Sequence, residues 1–101
     1  VVMNNLAWIL AHDEKNPNFE QALALVNEAL KGSPDNLPFL DTRGTIFYLQ
    51  EDWESAIDDL EKALEGVRDK KAVHEKLARI YEELDLPDIA RQHRLLANGT
   101  P

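Results

Sequence analysis

Hydrophobic side chains recur along this chain at spacings of three and four residues. The run from Ala22 to Leu30 shows the spacing most clearly. The same stripe returns further along the chain at Ala56, Ile57, Leu60, Ala63 and Leu64. Such spacing places apolar side chains on one face of an α-helix. No segment alternates apolar and polar residues with the β-branched enrichment of a strand, so the pattern predicts an all-α protein.

Residues that favour helix ends divide this pattern into six predicted helices. Prolines lie near three predicted starts, where a missing backbone N–H costs nothing, at Pro17, Pro38 and Pro87. Asp52 is placed to cap a helix through its carboxylate. Gly32 and Gly66 fall just past predicted helix ends, where a left-handed residue can close the last turn. The predicted helices cover residues 2–14, 18–31, 37–50, 53–65, 70–84 and 87–98.

Identical residues recur along the chain at a fixed interval of 34 positions. One alanine series is Ala22, Ala56 and Ala90, and a second is Ala29, Ala63 and Ala97. The same interval relates Gly32 to Gly66 and Asp35 to Asp69. Four series at one period indicate an internal helical repeat.

This repeat resembles the tetratricopeptide family along nearly the whole chain, since a unit of that family is a helix pair of about 34 residues. The second unit matches best, at Leu40, Arg43, Gly44, Phe47, Ala56, Leu60 and Ala63. The third matches at Leu77, Ala78, Tyr81, Ala90 and Ala97, and the first at Leu6, Ala7, Leu10, Ala22, Val26, Ala29 and Pro34. The resemblance implies one domain, residues 1–101, built as a right-handed superhelical stack of three antiparallel helix pairs. Its repeats would cover residues 1–36, 37–70 and 71–101.

Small residues stand where the two helices of a unit would have to approach closely. Gly44 is the clearest case, because glycine inside a helix costs about 1 kcal/mol relative to alanine and needs a packing reason. Ala7 and Ala78 hold the same place in the other two units. On the second helix of each unit, the matching small residues are Ala22, Ala56 and Ala90.

Two departures from the repeat predict an asymmetric stack. Ala7 and Ala22 lie 15 residues apart, whereas Gly44 and Ala56 lie 12 apart, so the first unit carries three extra residues between its helices. In the last helix, Arg94 stands at the repeat position that Val26 and Leu60 hold in the first two units. A buried unpaired arginine would be costly, so the last helix is predicted to be a polar cap.

The first helix lacks a comparable polar cover. Its apolar side chains would remain uncovered without an upstream helix, at Met3, Leu6, Ile9 and Leu10. We therefore expect further repeats before residue 1, and in isolation a homodimer through the N-terminal helix pair. The stretches Asn4–Trp8 and Leu40–Thr42 resemble bacterial versions of the repeat, which suggests the C-terminal part of a larger bacterial protein.

The resemblance implies a concave groove lined by the first helix of each pair. The corresponding positions are Asn4, Trp8 and His12, then Asp41, Thr45 and Tyr48, then Glu75, Arg79 and Glu82. Aromatic residues beside hydrogen-bonding groups suit peptide recognition. Packing between neighbouring repeats explains Trp8 and Tyr48 equally well, and that alternative stays open.

Some family members clamp a terminal carboxylate in this groove with cationic and asparagine side chains. Asn5 matches one such position, but Asp41 and Glu75 would repel a ligand carboxylate despite Lys76 and Arg79 nearby. A partner segment with basic and apolar residues therefore fits better.

Composition narrows the possible partners. The formal net charge of −8 disfavours nucleic acid, and 30% charged residues without a long apolar run disfavours membrane insertion. Val1–Met3 is too short for a signal peptide. The absence of cysteine excludes disulfides and thiolate sites, and leaves the cytosol and the periplasm equally open.

Catalytic, cofactor and metal sites are not predicted. His12, His74 and His93 lie on different predicted helices without metal-ligand spacing, and they are interpreted as surface or groove histidines. Acidic clusters near helix ends are typical of solvated faces or caps. The sequence therefore predicts a non-enzymatic scaffold that binds a protein or peptide. The alternatives are an assembly module that associates through the N-terminal edge, and a targeting arm of a larger enzyme.

Overall fold

Residues 2–99, which the computed structural model describes, form six α-helices and no strand. The helices are α1 (Val2–Ala11), α2 (Phe19–Gly32), α3 (Leu37–Leu49), α4 (Trp53–Ala63), α5 (Lys70–Glu83) and α6 (Pro87–Ala97). The all-α prediction is confirmed. The predicted domain limits at residues 1 and 101 lie outside the described residues.

Helix α1 ends three residues before its predicted end. The carboxylate of Asp13 accepts the backbone N–H groups of Lys15 and Asn16 at 3.1 and 3.3 Å, which draws the chain into a turn. Side chains of this kind compete with helix hydrogen bonds. The backbone of Asn18 then donates to Leu10 before α2 begins, so residues 12–18 form a longer connection than residues 50–52 or 84–86 in the other pairs.

Consecutive helices pack as pairs, α1 with α2, α3 with α4 and α5 with α6. Helix α3 also packs against α1 and α2, and α5 packs against α3 and α4. Each later pair therefore contacts the preceding pair through its first helix, α3 or α5. This arrangement is consistent with a tetratricopeptide-like helical repeat.

The predicted close approach at Gly44 is present. A Cβ atom built on Gly44 would lie 2.8 Å from Cγ of Leu60 and 3.1 Å from Cβ of Asp59, both on α4. Gly66 also stands at a tight contact, because its Cβ would lie 2.8 Å from Cδ1 of Leu37. Fully buried alanines occupy the matching positions in all three pairs, at Ala7, Ala22, Ala56, Ala78 and Ala90.

The prediction that Gly32 and Gly66 adopt the left-handed conformation was wrong. Among the described residues, positive φ occurs at Glu51 (61°), Asp85 (62°) and Gly99 (75°). Glu51 and Asp85 are one repeat apart, in the short turns after α3 and α5. There, the N–H groups of Glu51 and Asp52 close α3 on the carbonyls of Tyr48 and Phe47, as in a Schellman motif. A left-handed non-glycine residue costs about 1 kcal/mol or more.

Capping of α4 also differs from the sequence prediction. Asp52 is the N-cap residue, but its side chain makes no capping hydrogen bond. Carboxylate or amide caps are present instead at the starts of α2, α3 and α5, from Asn18, Asn36 and Asp69. Each side-chain oxygen accepts an orphan backbone N–H in the first helical turn.

Candidate functional site

The first helices of the three pairs lie side by side and carry the nine predicted groove residues. Asn4 and Trp8 belong to α1, with His12 just after its end. Asp41, Thr45 and Tyr48 belong to α3, and Glu75, Arg79 and Glu82 belong to α5. Because α3 packs against both α1 and α5, the three groups occupy one continuous layer of helices.

Tyr48 and Arg79 meet in one cavity at the end of α3. The cavity has a volume of about 200 Å³ and is lined by Tyr48, Leu49, Glu51, Trp53 and Arg79. The rings of Tyr48 and Trp53 meet edge to face, with centroids 5.9 Å apart. Nε of Arg79 donates to Glu83 at 3.3 Å, and this hydrogen bond raises the pKa of Arg79 above its ordinary value. The cavity therefore joins an aromatic wall to a permanent cation between carboxylates.

A second cavity adjoins the first at the half-exposed side chain of Leu49. Its volume is about 340 Å³, and its lining consists of Ala11, His12, Asp13, Glu14, Pro17, Phe19 and Leu49. Since Leu49 lines both cavities, they lie next to each other across the ends of α1 and α3 and together make a strip of recesses. We call this strip, from His12 through Leu49 to Arg79, the Leu49 cleft.

The other predicted groove residues lie in different environments. Trp8 stacks on His12 with centroids 3.6 Å apart, and its ring is half exposed. Thr45 is buried, so its hydroxyl does not face a ligand. Glu75 is exposed, whereas Glu82 pairs with Arg94 of α6.

Two polar side chains of this layer have a buried oxygen without a hydrogen-bond partner. These oxygens are Oδ1 of Asn4 and Oδ1 of Asp41. Burial raises the pKa of the Asp41 carboxyl, while Lys76 lowers it and Asp69 raises it further. Both residues were predicted to line the groove. Each is only partly exposed and has one buried oxygen, so neither side chain is fully open to a ligand.

Of the eleven residues that line the two cavities, eight were not predicted as groove residues, and in the first cavity these are Leu49, Glu51 and Trp53. Their position depends on the left-handed turn after α3, which places the start of α4 against the end of α3. The shared interval of Glu51 and Asp85 was the available signal, because it marks equivalent turns in two units.

A second polar cluster forms where α6 meets α5, and it corrects the interpretation of His93 as a surface residue. His93 is buried, and its Nδ1 lies 2.9 Å from Nδ1 of His74. Its Nε2 lies 3.4 Å from Oε1 of Glu61, and its ring stacks on Tyr81 with an interplanar angle of 4°. Two facing Nδ1 atoms can share one proton but cannot both carry one. Within residues 2–99, no group of three or more side chains is arranged to hold a metal ion.

Acidification is expected to weaken the fold through His93, because burial lowers the pKa of its imidazole. Glu61 opposes this shift and His74 adds to it. A folded-state pKa below the ordinary value of 6.5 means that the unfolded chain takes up the proton first. The stability that the neutral His93 contributes is therefore complete above pH 6.5 and is lost as the pH falls below 6.5 toward the folded-state pKa.

The measurement is urea unfolding of the wild type and of His93→Leu at a series of pH values from neutral to mildly acidic. Leucine is the matched replacement because Leu25 holds the same repeat position in α2. The wild type should lose more stability than the variant over this range. Equal losses of stability in the two proteins would show that protonation of His93 does not weaken the fold.

No family model matches the chain. The chain is 39% identical over 67 residues to a TPR repeat-containing protein of Methanocaldococcus jannaschii. The aligned segment covers 66% of this chain and 11% of that protein. Together with the paired helices, this similarity supports a tetratricopeptide-like family. Among the helices of residues 2–99, none has the length and apolar character needed to span a membrane.

Proposed function

We propose that this chain is a non-enzymatic protein-interaction module that binds a peptide segment of a partner in the Leu49 cleft. The observation that carries the proposal is the cavity in which Tyr48, Trp53 and Arg79 converge. Tyrosine, tryptophan and arginine are enriched among the few residues that supply most of the binding energy in protein interfaces. The predicted groove residues Tyr48 and Arg79 thus contribute to one recess, and His12 contributes to its neighbour.

The charges around the cleft favour a segment with basic and apolar residues. Glu51 lines the first cavity, and Asp13 and Glu14 line the second. The cation of Arg79 is already engaged by Glu83. A ligand therefore meets three carboxylates and the cation of Arg79 beside apolar walls, in a chain whose net charge is −8.

The cleft is formed before a ligand arrives. The turn at residues 50–52 joins α3 to α4 through three residues and two backbone hydrogen bonds that close α3. Tyr48 and Trp53 are consequently held in a fixed relation to each other. A preformed site leaves most of the ordering cost to the ligand, which favours recognition of a short segment.

Replacing Tyr48 by alanine is expected to weaken peptide binding by at least about tenfold, because a central aromatic anchor contributes about 2 kcal/mol or more and each 1.4 kcal/mol is a factor of about ten. The probes are two synthetic peptides with the same leucines, one rich in lysine and one rich in glutamate. The parent protein and the Tyr48 variant both also carry Trp8→Phe, so that Trp53 in the cleft is the one remaining fluorescent tryptophan. The lysine peptide should quench or shift its emission more strongly.

Glu28→Ala on the exposed surface of α2 serves as the control and should bind like the parent. Equal affinity of Tyr48→Ala and the parent would remove the cleft from consideration. Preference for the glutamate peptide would refute the proposed partner chemistry.

We further propose that the three helix pairs are tetratricopeptide-like repeats at residues 1–36, 37–70 and 71–101, within a larger bacterial protein. The insertion in the first repeat is supported by the long connection at residues 12–18. A targeting arm of an enzyme would use the same cleft, with the catalytic domain elsewhere in the protein.

Homodimerisation through α1 is a second candidate function, favoured by the exposed apolar side chains of that helix. Met3, Leu6 and Ile9 are 40%, 42% and 63% exposed, on a helix without a charged residue. Such a patch lowers its free energy by association. Sedimentation should show a dimer that Ile9→Lys dissociates, and a monomeric wild type at high concentration would exclude this function.

A further inference from the structure

Helix α6 exposes apolar side chains at positions where the corresponding helices α2 and α4 carry polar ones. Its exposed apolar side chains are Leu86, Ile89, Leu95 and Leu96, between 37% and 48% exposed. One repeat earlier, these positions hold Asp52, Ser55, Glu61 and Lys62, and two repeats earlier they hold Asn18, Gln21, Asn27 and Glu28. Every one of the four positions changes from polar to apolar in α6.

The opposite change occurs on the side of α6 that corresponds to the stack interior. Ile57, Leu60 and Leu64 are buried or half-buried there in the second pair. Their counterparts after α5 are Arg91, Arg94 and Asn98, all exposed. Arg91 pairs with Asp88, and Arg94 pairs with Glu82. The predicted cap thus describes only this side of α6, while the apolar residues have moved to another side.

Three of these four apolar residues form a stripe along the helix, which His93 interrupts between Ile89 and Leu96. Leu86, Ile89 and Leu96 share a helix face with His93, because spacings of three, four and seven residues return to one side. Leu86 and Ile89 also line a cavity of about 400 Å³ at the start of α6. From Leu86 to Leu96 the stripe is roughly 15 Å long, the length of three helical turns. In the described part of the chain α6 packs mainly against α5, and α4 reaches it through the contact of Glu61 with His93, while Leu86, Ile89 and Leu96 stay 37–48% exposed.

The groups bordering the stripe are acidic. Glu61 of α4, with a side chain 44% exposed, lies beside His93 in the middle of the stripe, and Asp85 lines the cavity at its start. The two arginines of α6 do not offset these charges, because each is already held by a carboxylate. A second copy of this chain would bring another net charge of −8 to the surface, which opposes self-association there.

We propose that the stripe of Leu86, Ile89 and Leu96 is a second docking surface, beside His93 on α6, for a helical segment of a partner protein. That segment presents leucine-like side chains on one face and basic residues at its flanks. Three turns of an apolar helix match the length of the stripe, and the basic flanks meet Glu61 and Asp85. This surface is separate from the Leu49 cleft, so the module holds two partner segments at once.

The test uses the residues of α2 to restore a polar surface. The variant Ile89→Gln with Leu96→Glu carries what α2 has at these positions, Gln21 and Glu28, and a normal circular dichroism spectrum verifies its fold. The probes are two short helical peptides with the same leucine face, one flanked by lysines and one by glutamates. Binding is measured by amide NMR shifts in a titration.

The lysine peptide should shift amides of α6 and bind at least tenfold more tightly than the glutamate peptide. The double variant should lose at least tenfold in affinity although its added carboxylate attracts lysine, which isolates the apolar contribution. Leu95→Asn, on α6 outside the stripe, introduces the residue that α2 has at this position, Asn27, and should bind like the wild type. Shifts confined to the Leu49 cleft, or equal affinity of the double variant, would overturn the proposal. So would wild-type self-association in sedimentation that the double variant abolishes, because the occupant would then be a second copy.

Discussion

Arg43→Leu is expected to destabilise the fold by about 2–4 kcal/mol, because it leaves a buried carboxylate without its partner. Nε and Nη2 of Arg43 donate to the two carboxylate oxygens of Asp59 at 2.7 and 2.9 Å. Nη1 donates to Oδ1 of Asn27 at 3.1 Å, which ties α3 to α2 as well as to α4. The Asp59 side chain is 8% exposed and that of Arg43 is 29% exposed, so the carboxylate bears most of the desolvation.

The double variant Arg43→Leu with Asp59→Leu should recover most of this loss. The first repeat holds leucines at both equivalent positions, Leu6 and Leu25, so the replacement pair is compatible with the repeat. Removing both charged partners leaves nothing buried and unpaired, and such exchanges are close to neutral. Urea unfolding of the wild type, both single variants and the double variant gives the coupling free energy. A single variant as stable as the wild type would show that the ion pair does not stabilise the fold.

Gly44→Leu is expected to destabilise the fold by roughly 3 kcal/mol through overpacking between α3 and α4. Its Cβ would lie 2.8 Å from Cγ and 2.9 Å from Cδ2 of Leu60, a fully buried side chain that would have to shift within the core. The gain in helix propensity over glycine, about 1 kcal/mol, is smaller than this cost. Thermal unfolding and near-ultraviolet circular dichroism measure the loss of stability and of side-chain packing.

Gly32→Leu is the matched control, because no heavy atom lies within 4 Å of its added Cβ and its φ is not positive. This variant should be as stable as the wild type or slightly more stable. If both glycine variants were equally stable, the close approach of α3 and α4 would not be the reason for glycine at position 44.

Much of the fold follows from local patterns in the chain. The predicted helix starts agree with the structure to within one residue, because caps and prolines act on their own neighbours. Gly44 was identified from the repeat, and its tight contact with Leu60 explains it. The prediction was wrong about which residues are left-handed. They are Glu51 and Asp85, although glycine is the usual residue in this conformation.

The candidate sites depended on residues that are distant in sequence. Tyr48 and Arg79 were predicted individually, but their shared cavity with Trp53 required the packing of α5 beside α3. The contact of His74 with His93 joins different helices, and neither histidine has a local partner that would reveal it. Spacing rules describe one helix at a time, so they predict which face is apolar and leave open which side chains meet.

By itself the sequence determined the all-α class, the 34-residue interval, the acidic charge and the apolar edge of α1, since each depends on residue type and local spacing. The tertiary structure alone decided the Arg43–Asp59 pair, the buried histidine pair, the Leu49 cleft and the uncovered stripe of α6. These features arise because helices pack at particular faces, and the free energy of a charge or an apolar side chain depends on what that packing leaves beside it.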